Sequence, residues 1–142
     1  MPEDKVDLVS VFPEYERIFA LPIFIEEWKA KFGKTGQIIR MTQSLKKKLE
    51  YINRDIDGDF TSENVIEKLT GVQDFFSIRV EPRSINARVI CVLCNIEHKK
   101  CIILLHSFQE KNISKTRMKS YNKAEAVARK RYEDLRMQLP CD

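Results

Sequence analysis

The sequence predicts an α+β fold: two N-terminal helices packed on an antiparallel β-meander of three to four strands, closed by a C-terminal helix. Three observations predict it. Apolar residues between positions 22 and 54 recur every three or four residues. Between 75 and 108 they alternate or run continuously, and between 120 and 137 the helical interval returns. With 142 residues and no repeat, low-complexity tract or Pro/Gly-rich linker, residues 1–142 read as one domain. Residues 1–20 are then an N-terminal extension or an edge strand, because Pro13 keeps any strand there short or at a sheet edge.

The first helix begins at Pro22. Phe24, Trp28 and Phe32 stand four apart on one stripe, and Gly33 follows as a terminator. The second helix runs from about Gly36 to Arg54, with Ile38, Met41, Leu45, Leu49 and Ile52 as its apolar face and Lys46, Lys47 and Lys48 mostly outside it. "DIDGDFTSE" breaks this pattern with turn-forming residues, and "ENVIEKL" reads as a short helical turn before Gly71. In "FFSIRVE", residues 75–81, Phe76, Ile78 and Val80 alternate with Ser77, Arg79 and Glu81, as in a half-buried strand. "INARVICVLC" (85–94) and "CIILLHSF" (101–108) are two further strands, joined by "NIEHKK" at hairpin length. Ala124, Val127, Ala128, Arg131 and Leu135 form the stripe of the last helix. This order packs the helices on one sheet face and leaves the other open.

Composition narrows the function. No apolar run approaches the roughly 20 residues of a membrane helix, and "MPEDKVDLVS" lacks the basic-then-apolar pattern of a signal peptide. The expected address is the cytoplasm, with no membrane partner and with Cys91, Cys94, Cys101 and Cys141 reduced. Residues 79–138 carry 14 Lys+Arg against 6 Asp+Glu, whereas residues 1–78 carry 11 against 14. That polarity points to an anionic partner, nucleic acid first, for the C-terminal half; a solvated basic face is the plainer alternative.

Cys91, Cys94, His98 and Cys101 have a superficial zinc-ligand spacing. Strand residues three apart point to opposite faces, so Cys91 and Cys94 diverge and buried thiols are the better reading, with no metal. There is no Gly-rich phosphate loop, nucleophile elbow or strand-borne carboxylate pair. What remains is basic: Arg79 and Arg88 on strands, His106 and Phe108 two apart on one strand face, and Lys111 just beyond. For each arginine, an ion pair with Glu67, Asp74 or Glu81 competes with a ligand-binding role.

"LTGVQDFFSIRVE", "ARVICVLCNIEHKKCIILLHSFQEKN" and "AVARKRYEDL" together resemble the RelE/HigB-like toxins of type II toxin–antitoxin systems, in particular their phage-derived branch. The resemblance spans residues 22–137 and is most specific over 69–111. Ser77, Ala87 and Glu110 depart from the family pattern, where glutamate, tyrosine and lysine are usual. The resemblance implies a RelE/ParE-like fold and a cofactor-free endoribonuclease that cuts mRNA on the ribosome and inhibits translation. It implies catalytic roles for Arg79, Arg88, His106 and Lys111, and RNA binding by Phe108, Lys115, Arg117, Lys119 and Arg131. Its implied partners are a cognate helix-turn-helix antitoxin, mRNA, and operator DNA only through the antitoxin complex. Two rivals share the fold: a ParE-like gyrase poison, and a degenerate non-catalytic module that binds nucleic acid or protein.

Overall fold

The computed structural model describes residues 8–33, 36–58, 60, 66–69, 74–82, 86–109 and 114–137, with backbone alone for 114–121. The elements are β1 (Val9–Ser10), β2 (Ile18–Ala20), α1 (Pro22–Phe32), α2 (Ile38–Arg54), β3 (Ile66–Lys68), β4 (Phe75–Val80), β5 (Ala87–Ile96), β6 (Lys99–Gln109) and α3 (Ser114–Arg136). They build a six-stranded sheet in the order β1-β2-β6-β5-β4-β3.

This corrects the predicted architecture. The class α+β stands, but the sheet is mixed and larger than a three- to four-strand meander, and two strands precede the helices. β2 runs parallel to β6, with Ile18, Phe19 and Ala20 opposite Ile102, Ile103 and Leu104. A parallel partner requires a long crossover, here α1 through β5. The segment read as a helical turn at "ENVIEKL" contains β3, whose Ile66, Glu67 and Lys68 pair antiparallel with Ile78, Ser77 and Phe76. Three residues whose apolar spacing also fits a helix are ordered by a waiting strand edge, an instance of tertiary pairing overriding local pattern.

The helices form where the stripes fall. Pro22 at the first turn of α1 lacks only an N–H that would have no helical partner. Phe24, Trp28 and Phe32 are buried, Trp28 stacking on Phe24 (centroids 5.9 Å) and donating from Nε1 to Thr42 Oγ1 of α2 at 3.0 Å. α2 buries Met41, Leu45, Leu49 and Ile52, while its Lys46 pairs with Glu14 at 3.0 Å and lies over the Phe12 ring. One of the three lysines read as a solvated face thus ties α2 to the N-terminal segment.

The sheet is covered on both faces. Phe75 meets Tyr132 of α3 edge-on at 5.5 Å, and its neighbour Phe76, pointing to the opposite face, meets Phe60 at 5.3 Å. Residues 87–92 of β5 and 101–105 of β6 are all buried, which explains why these strands read as continuous apolar runs. The expected open face is therefore not present where α3 lies against β5 and β6.

Candidate functional site

The site starts from one extra residue in β6. Leu104 pairs with Cys91, but the next pair is His106 with Ile90, so Leu105 is a bulge. The bulge shifts the alternation by one and moves the following even-numbered residues to the other sheet face. His106 and Phe108 thereby come onto the face of Ile90 and Arg88. Arg79 pairs with Arg88 and Arg88 with Phe108, so these three stand in one row across β4, β5 and β6. His106 occupies the adjacent place on β6, its ring parallel to Phe108 within 15° at a centroid separation of 6.2 Å.

Two arginines directly opposite on adjacent strands repel one another. Glu81 lies between them, its Oε1 3.0 Å from Arg88 Nη1 and 3.1 Å from Arg79 Nε. The Arg79 Nε–H is not aimed at that oxygen, so the second contact is Coulombic rather than a hydrogen bond. Arg79 Nη2 donates to Glu67 Oε1 at 2.8 Å, and Arg88 Nη1 also reaches Asn86 Oδ1 and Ala87 O. The ion-pair alternative is thus realised for both arginines. Arg88 is buried while Arg79, Glu67 and Glu81 reach solvent.

The ladder to β2 stops at the same place. Beyond Leu104 the β2 side of β6 has no strand partner among the described residues: Leu21 N donates to Leu104 O, and the chain then turns into α1. The exposed backbone groups are met by side chains. Arg131 Nη1 donates to Leu105 O at 2.8 Å, Ser107 N donates to Glu27 Oε1 at 2.9 Å, and Lys31 Nζ donates to Ser107 O. Glu27 and Lys31, one turn apart on α1, therefore replace a missing strand.

Glu27 is the hub of this cluster. His106 Nδ1 lies 3.0 Å from both Glu27 carboxylate oxygens, Arg131 Nη2 donates to Oε2 at 3.0 Å, and Lys31 Nζ is 4.0 Å from Oε2. Burial alone would raise the Glu27 pKa. The hydrogen bonds from His106, Arg131 and the Ser107 N–H outweigh it and hold the carboxyl at about 2, against an ordinary 4.5. Lys31 is lowered, first by burial and then by Arg131, with Glu27 opposing. Chemically, the cluster is an imidazole anchored on one ring nitrogen by a permanent carboxylate, with cations within a few ångströms.

Of the nine predicted site residues, Arg79, Arg88, His106 and Phe108 share one sheet face, and Arg131 reaches His106 from α3. Arg131 is only 17% exposed and is engaged with Glu27, which makes it a structural clamp rather than an exposed RNA contact. Lys111 lies outside the described residues, as do the side chains of Lys115, Arg117 and Lys119 in the first turns of α3. Sequence reasoning missed Glu27 and Lys31. Their i,i+4 spacing was visible, but their partners lie on β6 and α3, 76 to 104 residues away.

Cys91 and Cys94 are buried thiols of β5, and burial pushes the Cys91 thiol up to about 12, which keeps it protonated. Among the described residues no group of three His, Cys, Asp or Glu side chains converges as a metal site, and no helix is long and apolar enough to cross a membrane. No family model matches the chain, and neither a curated protein nor a solved structure does.

Proposed function

We propose that the chain is a RelE/HigB-like toxin that acts as a metal-independent mRNA endoribonuclease, cleaving on the ribosome and held silent by a cognate antitoxin. One observation carries the reading: Arg79, Arg88 and Phe108 stand abreast on three strands with His106 alongside. In this reading the two guanidinium groups clamp the scissile phosphate, for which their planar forks are suited. The Glu81 carboxylate, about 3 Å from both, marks where an anion sits between them. Phosphate binding then displaces Glu67 and Glu81, whose side chains are 43% and 41% exposed. His106 handles protons, and Phe108, only 8% exposed, offers a stacking ring once it is uncovered. The bond changes are those of intramolecular transesterification: O2′ bonds to phosphorus and the P–O5′ bond breaks, leaving a 2′,3′-cyclic phosphate and a 5′-OH.

A second reading, a non-catalytic binding module, is favoured by a specific observation: Arg88 is 4% exposed and every arginine of the row is neutralised internally. Expression in growing cells tests the proposal. The parent chain is expected to arrest growth with translation halted and no DNA-damage response, and Arg79→Ala and Arg88→Ala are each expected to restore growth. Undiminished arrest in both soluble variants contradicts the proposal, and arrest with DNA damage points to gyrase poisoning instead.

A further inference from the structure

The donors around Glu27 fix the site of the His106 proton. Both Glu27 oxygens lie 3.0 Å from His106 Nδ1, and an ionised carboxylate can only accept. Arg131 Nη1 is 3.3 Å from the same nitrogen, but its two protons have acceptors in Leu105 O at 2.8 Å and Glu27 Oε1 at 3.3 Å. A guanidinium has no lone pair to offer, so the only proton left to fill the Nδ1–Glu27 contact is the ring's own. Nδ1 is the donor, and in the neutral ring the lone pair sits on Nε2. Ser107 N–H and Arg131 hold the carboxylate in place, and the Phe108 ring lies nearly parallel to the imidazole.

We propose that Glu27 is a positioning residue that locks His106 as the Nδ1–H tautomer, making Nε2 the acceptor of the ribose 2′-OH proton. This rests on the ribonuclease reading. In the step, Nε2 takes the 2′-OH proton, O2′ bonds to phosphorus, the P–O5′ electron pair goes to O5′, and a proton from water completes the 5′-OH. The chemistry requires an unprotonated ring nitrogen facing the substrate, and a wrong tautomer places an N–H there instead. Glu27 touches no reacting atom.

Two measurements test the assignment. Long-range ¹H–¹⁵N correlation of the His106 ring in the intact wild-type protein is expected to show the proton on Nδ1 in the neutral state; a proton on Nε2 overturns the proposal whether or not the protein cuts RNA. In Glu27→Gln an amide N–H turned toward Nδ1 needs the ring lone pair there, so the ring is expected to flip to Nε2–H. RNA cleavage is then expected to lose about 10²- to 10⁴-fold in kcat with KM unchanged. A folded variant that loses Nδ1–H yet keeps kcat overturns the proposal. If E27Q does not fold, the wild-type tautomer alone decides. A wild-type protein with Nδ1–H that leaves RNA uncut removes the ribonuclease reading, and the catalytic use of Nε2 with it, while the Glu27–His106 lock stands on the spectrum.

Discussion

Glu27 joins the closing of a strand edge to the anchoring of an imidazole. Its carboxylate closes the open edge of β6 through Ser107 N and anchors the His106 ring in the same plane of contacts. Because its folded pKa is near 2 against an ordinary 4.5, its stabilisation is fully present above about pH 4.5 and is lost as pH falls toward 2. The size is on the order of 3 kcal/mol. Urea unfolding between pH 6 and pH 2.5 is expected to show a steeper loss of stability for wild type than for Glu27→Gln; parallel curves contradict the assignment. Nothing local in the sequence announces this residue. It sits beside Trp28, on the flank of the α1 stripe, and acquires meaning only from His106 and Ser107. Arg79, Arg88, His106 and Phe108 were legible because strand alternation assigns faces within each strand. The ion pairs with Glu67 and Glu81 were legible as the alternative to ligand binding, but the burial of Arg88 was not, since alternation within one strand does not show which sheet face is covered.

At the level of elements, the long stripes decided what could be read. α1, α2 and the strands β4 to β6 follow their apolar periods, and α3 extends six residues earlier than its stripe suggests because Ser114 to Lys119 carry no apolar marker of phase beyond Met118. The short strands were the hardest to read: β1 and β2 were expected only as an extension or edge strand within residues 1–20, and β3 was read as a helical turn, each having two or three residues. A segment that short has no period to detect, and its strand geometry comes from the neighbour it pairs with. The β5–β6 hairpin carries a local cost that sequence does reveal once the loop is located. Glu97 and His98 form its two-residue turn with φ of 52° and 67°, a left-handed geometry that favours Asn and Gly. Replacing Glu97→Asn with His98→Gly is expected to raise unfolding free energy by about 0.5–1 kcal/mol in urea melts, with the hairpin register unchanged. A loss of stability contradicts this turn assignment.

The whole molecule is a mixed sheet whose central strands are largely buried on both faces, and the proposed site lies across β4, β5 and the end of β6 where the ladder to β2 stops. The parallel pairing of β2 with β6 creates that end: β2 leaves β6 after Leu104, the bulge at Leu105 re-aims the strand, and α1 and α3 supply the polar groups that finish its edge. A meander would give β6 a different neighbour and no such place. In the proposed function, the basic excess of residues 79–138 is what would attract the RNA. The decisive measurement is the chemistry of RNA ends produced by the purified protein on programmed ribosomes. The proposal predicts new 5′-OH ends paired with 2′,3′-cyclic phosphates, abolished by His106→Ala; 5′-phosphate ends, or RNA that is bound and left whole, contradict it.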